Sequence, residues 1–143
     1  MEPQEALSRL RSARVGRIAT VRPDGRPHVV PFVFALMEDG AAVRLYWAVD
    51  EKRKRTPDLQ RLRNLERNRA VEIVVDGYDE DWERLWWVRA SGTGRVVEAA
   101  HERAAALEAL RKKYAQYRQA PPDGPVVAVD VAAITGWAAT PPA

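Results

Sequence analysis

Gly16-Arg17-Ile18-Ala19-Thr20-Val21-Arg22-Pro23-Asp24-Gly25-Arg26-Pro27-His28-Val29-Val30-Pro31-Phe32 holds two extended segments around one reversal of the chain. Val15 to Val21 alternates about Ile18 among small and polar residues, the period of a strand. In Arg22-Pro23-Asp24-Gly25 the proline presets φ, the aspartate bonds its own backbone and the glycine accepts positive φ, so the chain turns back. The next run, Pro27 to Met37, is apolar on both faces through Val29, Val30, Phe32, Val33, Phe34, Ala35 and Leu36, which predicts a central strand. Pro31 has no N–H to give to a ladder and predicts a bulge or an opening in the pairing. Strands joined by tight hairpins select an antiparallel sheet over a doubly wound parallel one.

Ala6, Leu7, Leu10 and Ala13 predict a short amphipathic helix from Pro3 to Ala13, with proline where a helix start tolerates it. Glu38-Asp39-Gly40 closes a second hairpin, and Val43, Leu45, Trp47 and Val49 alternate with Arg44, Tyr46 and Ala48 as a half-buried strand. Thr56-Pro57-Asp58 starts a helix with Leu59, Leu62 and Leu65 on one face and Arg61, Arg63 and Arg67 on the other sides. Val71 to Val75 is a fourth strand, and Leu85 to Val97 a fifth, with Gly92-Thr93-Gly94 marking a bulge or bend. His101 to Tyr117 has apolar residues three or four apart and predicts a helix, ended before Pro121-Pro122. Val126 to Val131 is the last strand. Six strands, no repeat and no linker predict one domain over residues 1–143, mostly β with helices.

Composition limits the chemistry. The 143 residues include no cysteine, so disulfide scaffolds and thiolate metal sites are excluded. The longest apolar runs are too short to cross a bilayer as a helix, and the acidic start Met1-Glu2-Pro3-Gln4-Glu5 lacks the basic and apolar regions of a secretory signal; a cytoplasmic protein is expected. The net charge of +3 is small but segregated. Eight basic residues against two acidic ones lie between Lys52 and Arg69, and six acids with no base lie between Glu72 and Glu83.

Lys52-Arg53-Lys54-Arg55 falls between a strand end and a helix start, where unpaired N–H groups and the positive end of the helix dipole favour an anion such as phosphate. A solvated charge run in a connecting loop is the alternative. A nucleic-acid surface built on Arg61, Arg63, Arg67 and Arg69 is opposed by the acidic stretch that follows. Trp86 and Trp87 are adjacent on a strand and point to opposite faces, so one needs cover from a partner subunit, a ligand or a loop. His28 and His101 are the only histidines. No catalytic triad, metal-spaced cluster or Gly-rich phosphate loop is visible, and Asp76 to Asp81 lacks calcium-loop spacing, so no catalytic residue and no metal ligand is assigned.

Gly16 to Val21 with Pro23 to Phe32, then Leu45-Tyr46-Trp47-Ala48 leading into Lys52-Arg53-Lys54, Arg61-Leu62-Arg63-Asn64-Leu65, Asn68, and Trp87-Val88-Arg89-Ala90-Ser91-Gly92-Thr93-Gly94, occur in an order that resembles the pyridoxamine phosphate oxidase-like split-barrel flavoproteins. The resemblance is strongest to their actinobacterial branch that uses the deazaflavin coenzyme F420. It implies a six-stranded antiparallel split β-barrel that forms a homodimer with cofactor sites at the subunit interface. It also implies an oxidoreductase that moves a hydride between the deazaflavin and a small conjugated substrate. The alternatives are an FMN-dependent enzyme of the same fold, or a flavin- or haem-binding carrier or sensor without turnover. The implied cofactor contacts are Lys52, Arg53 and Lys54 to the phosphate, Val30, Pro31, Phe32, Tyr46 and Trp47 beside the ring, and Trp87 and Trp137, the latter like an aromatic supplied by the second subunit. Trp87 stands where flavin-binding members often carry a polar contact, which is compatible with the bulkier deazaflavin. Members that oxidise pyridoxamine phosphate use basic and histidine side chains near the C-terminus; Thr135 to Ala143 has neither, so that substrate is not expected.

Overall fold

The structure, a computed structural model, describes residues 1–50 and 60–140. Helix α1 (Pro3–Ser12) leads into strands β1 (Gly16–Val21), β2 (Pro27–Phe32), β3 (Ala35–Asp39) and β4 (Ala42–Ala48). Helix α2 (Gln60–Arg67), β5 (Ala70–Gly77), a single 3-10 turn at Trp82–Arg84 and β6 (Trp86–Val96) follow. Helices α3 (Ala100–Lys113) and α4 (Ala115–Gln119) precede the long last strand, β7 (Val126–Ala138). All pairings are antiparallel, in the order β2-β1-β5-β6-β7-β4-β3.

The described sheet thus has seven strands where the sequence predicts six. The run Pro27 to Met37 is interrupted at Val33-Phe34, and its two halves form opposite edges of the sheet instead of one central strand. The physical reason lies in Pro31 and in a change of face. Along β2 the alternate residues Pro27, Val29 and Pro31 are exposed, with Val29 at 60%. Pro31 is tolerated because an edge strand needs only one row of donors. Because the first and last strands of the sheet are halves of one interrupted strand, the sheet rolls around its core and is left open along one seam.

Both predicted hairpins are present. Gly25, at φ 88°, donates to Arg22 O at 2.8 Å, and Asp24 Oδ1 accepts from Arg26 N at 3.0 Å; Gly40 takes φ 61° at the other turn. The rolled sheet encloses Ile18, Phe32, Phe34, Leu45, Trp47, Val71, Ile73, Val75, Val88, Val127 and Val129, with Ala6 and Leu10 of α1 and Leu65 of α2 packed into the same core. The predicted bend in the fifth strand is a register shift between Ser91 and Gly92, where Ala132 of β7 is the extra residue. A Cβ on Gly92 would stand 2.3 Å from Asp130 O, so only glycine allows this close approach. The predicted helix from His101 to Tyr117 is divided into α3 and α4 at Tyr114, whose φ of −119° and ψ of 119° are extended. Among the described residues no helix is long and apolar enough to cross a membrane.

Candidate functional site

The seam runs between the β2 and β3 edges of the sheet. Phe34, between β2 and β3, is held there by the α3–α4 corner. Its N–H donates to Tyr114 Oη at 3.2 Å, while its carbonyl accepts from Tyr114 Oη at 3.0 Å and from Lys113 Nζ at 2.9 Å. Lys113 Nζ also sits 4.2 Å from the centroid of the Phe34 ring, and Phe34 stacks on Phe32 at 5.0 Å. Burial, followed by the nearby Arg14 guanidinium, pulls the Lys113 ammonium down to about 8. Burial likewise raises the Tyr114 phenol, which stays a neutral hydrogen-bonding group.

Beside this break lies a pocket of about 290 Å³ lined by Pro31, Phe32, Val33, Trp47, Ala48, Asp50, Arg61, Tyr114, Gln116 and Tyr117. Trp47 is 1% exposed, and the guanidinium carbon of Arg61 lies 4.4 Å from its ring centroid. The indole Nε1 is buried with no hydrogen-bond partner among the described residues. Arg61 is itself 8% exposed because α2 buries Arg61, Asn64 and Leu65, residues at i, i+3 and i+4. Asn64 fixes the helix by donating to Thr20 Oγ1 at 2.9 Å and accepting from Gln60 Nε2 at 2.7 Å.

Of the residues named from the sequence, Pro31, Phe32 and Trp47 come together in this pocket. Val30 lies next to them on β2, half-buried against the core. Tyr46 faces the other side of β4 beneath α3, in a cluster with Val97, Ala106, Val126 and Ala128, and its hydroxyl donates to Glu102 Oε2 at 2.7 Å. Trp87 and Trp137 face each other across β6 and β7. Trp137 is ten residues along β7 from Val127, the partner of Trp47, about 33 Å of strand, so within one chain these two tryptophans do not line the pocket. Lys52, Arg53 and Lys54, with the Thr56 helix start, lie outside the described residues.

Sequence reasoning places Arg61 on a candidate nucleic-acid surface and assigns no site role to Tyr114, Gln116 or Tyr117. Arg61 reads as one more exposed arginine, and its only signal is its i, i+4 spacing to Leu65. Tyr114 and Tyr117 read as the apolar side of a continuous helix, although two tyrosines ahead of Pro121-Pro122 mark where that helix ends.

The outer face of Tyr46 belongs to a separate network. Arg95 makes a bidentate contact with Glu102 at 2.7 and 2.8 Å and reaches Asp130 at 2.8 Å, and Arg44 meets Asp130 at 3.1 Å. The Arg95 guanidinium holds Glu102 down at about 2 and lowers Asp130, while burial and Glu102 push Tyr46 up to about 12. This network ties the start of α3 to the sheet. Among the described residues no group of His, Asp and Glu is arranged to hold a metal ion.

The residues present suit a planar heteroaromatic ligand. One side of the pocket is apolar, its floor is an indole under a guanidinium, and the adjoining β2 is an edge strand whose outer row of backbone groups has no ladder partner among the described residues. At about 290 Å³ the pocket is at the small end of small-molecule sites, enough for a ring system but not for a whole dinucleotide.

A rolled antiparallel sheet open along one seam, with a pocket at that seam, is a split-barrel architecture. The pyridoxamine 5'-phosphate oxidase family pattern matches residues 3–138, and the chain belongs to that family. No curated protein matches it. Among solved structures it is similar to a conserved protein of unknown function from Corynebacterium diphtheriae, at 25% identity over 96% of this chain and 94% of that one, with a TM-score of 0.74. It is also similar to the FAD-binding protein from Mycobacterium smegmatis, at 24% identity over 96% and 94% with a TM-score of 0.68. The heme storage protein HutZ from Vibrio cholerae shares the fold at 14% identity over 96% and 95%, with a TM-score of 0.65. The last two likenesses show a common fold.

Proposed function

We propose that this chain is an oxidoreductase that binds a flavin-class cofactor, in its deazaflavin form coenzyme F420, at the seam pocket and uses it on a small conjugated substrate. The observation that carries the reading is the meeting of the β2 edge at Pro31–Val33 with the buried Trp47–Arg61 pair. Family membership and the FAD-binding neighbour support a flavin-class ligand. The deazaflavin form rests on the sequence resemblance described above.

In this reading Phe32, Trp47 and Ala48 hold the plane of the ring, and Arg61 supplies positive charge at its edge. Lys52, Arg53 and Lys54 follow the lining residue Asp50 by two to four positions and take the phosphate. When bound, the cofactor supplies two-electron transfer to the substrate, so no side-chain nucleophile is required. The chain's own work is to orient the ring and to exclude water with Tyr114 and Tyr117. Lys113 and Tyr114 keep the interrupted strand, and so the pocket wall, in place.

The reading includes a homodimer. Strand register aligns Pro31, Arg17, Val74, Arg89 and Thr135 in one outward row, Val29, Ala19, Glu72, Ser91 and Ala133 in the next, and Asp76, Trp87 and Trp137 in a third. Val29 and Trp137, at 60% and 45% exposed, leave large apolar surface open on this face. A second copy packed on this face covers Val29 and Trp137.

A second reading, a haem or flavin carrier without turnover, is favoured by the fold shared with HutZ. FMN in place of F420 is the other alternative. Parallel fluorescence titrations with F420, FMN and haem at two salt concentrations separate them. Preferential binding of F420, with its reduced form reoxidised by an added conjugated acceptor, is the expected result. Preference for FMN removes the deazaflavin assignment, binding without turnover selects the carrier, and binding of none of the three removes the proposal.

A further inference from the structure

The described charges are divided between the two ends of β5, and the acidic end carries unusual surface. Beyond Gly77 the chain forms an ordered loop. Asp79 Oδ1 accepts from Asp81 N at 2.7 Å, Asp81 Oδ1 accepts from Glu83 N at 3.1 Å, and Thr140 Oγ1 donates to Glu83 O at 2.7 Å. This fixed loop exposes Tyr78 and Trp82, each at 69%. Arg84 stands 4.0 Å from Asp79 and 3.8 Å from Asp81, which leaves Glu80 and Glu83 with no cation beside them among the described residues. A prearranged loop showing two large aromatics and unpaired charge loses little entropy on docking.

At the other end of β5, about 23 Å away along eight residues of strand, Arg67 and Arg69 precede Ala70. The β1–β2 turn sits against them, because Val21, Arg22, Pro23, Gly25, Arg67 and Asn68 line one depression. Arg22, Arg26, Arg67 and Arg69 are all exposed, and none has an ion-pair partner among the described residues. One chain cannot bring its two ends together. A two-fold axis perpendicular to the strands sets the acidic end of each copy over the basic end of the other, and symmetry makes the contact occur twice.

We infer that the acidic aromatic loop from Asp76 to Glu83 of one copy docks on the Arg22, Arg26, Arg67 and Arg69 end of a second copy and so fixes the register of the pair. The inference rests on the pairing proposed above and adds the contact that selects one alignment. Opposite charges steer the encounter and penalise the wrong register, while Tyr78 and Trp82 supply apolar area and faces for the guanidinium groups.

The test uses two reversed variants, Glu80→Arg with Glu83→Arg, and Arg67→Glu with Arg69→Glu, studied by sedimentation alone and mixed. Asp79 and Asp81 are left intact because they hold the loop. Each variant alone puts like charges at both contacts, and its self-association is expected to weaken at least tenfold. The mixture restores opposite charges at both contacts and is expected to yield a one-to-one heterodimer within about threefold of the wild-type affinity. A folding defect is not repaired by mixing. Variants that remain dimeric, with no preference for the heterodimer, overturn the loop contact while leaving the pairing. A wild-type chain that is monomeric overturns both, and if it is then retained by heparin the basic end is assigned to an anionic polymer instead.

Discussion

Replacing Glu102 by Gln keeps the shape of the side chain and removes the charge that joins α3 to the sheet. The carboxylate accepts from Arg95 at 2.7 and 2.8 Å and from Tyr46 at 2.7 Å. Arg95 holds its pKa at about 2 against an ordinary 4.5. That gap corresponds to about 3 kcal/mol at about 1.4 kcal/mol per pH unit. Since 19% of the Glu102 side chain is open to solvent, screening reduces the net value to about 1–2 kcal/mol. The sign follows from linkage: the native pKa is depressed, so the stabilisation is complete above about 4.5 and is lost as pH falls toward about 2. Urea unfolding followed by tryptophan fluorescence at pH 7, 4 and 3 should show the wild type more stable than Glu102→Gln by about 1–2 kcal/mol at pH 7, with most of the gap gone at pH 3. A gap that is absent at pH 7, or that persists unchanged to pH 3, refutes the ion-pair account. The consequence reaches the pocket, because Lys113 and Tyr114 lie at the far end of α3, about 16 Å along the helix.

Lys113, pulled down to about 8 by burial, binds its proton more weakly in the native state than in the unfolded one, so its contribution to stability rises with pH above about 8; Lys113→Met should flatten that slope in unfolding measured between pH 7.5 and pH 9.5. Arg61→Met removes the cation over Trp47 while keeping the aliphatic stem, and should weaken cofactor binding at least tenfold in a titration while costing about 0.5–2 kcal/mol of stability. Gly92→Ala drives a Cβ to 2.3 Å from Asp130 O and should lower unfolding stability by about 2–3 kcal/mol, read from the urea midpoint.

The sheet was legible because its signals are local: two glycine turns, period-two alternation around Ile18, Leu45 and Ile73, and a glycine bend in β6. The edge position of β2 was not legible, because an apolar run reads the same whether its second face meets another layer of its own chain or stands open. Pro31 carried the hint, and the break fell two residues later, where Phe34 needs the Tyr114 hydroxyl from 80 residues away. The site was half legible for the same reason. Pro31, Phe32 and Trp47 lie on strands whose pattern is visible in sequence. Arg61, buried against Trp47 by helix packing, and Tyr114, bonded to a strand break, owe their roles to tertiary contacts that neither periodicity nor charge reports. Tyr46, one residue from Trp47, faces away because strand neighbours alternate sides.

The most direct test of the account is a crystal structure of the protein grown with coenzyme F420. The account predicts the deazaflavin ring between the Pro31–Val33 edge and Trp47, within contact of Arg61. Ring density at another surface, or a pocket that stays empty at saturating F420, would contradict it.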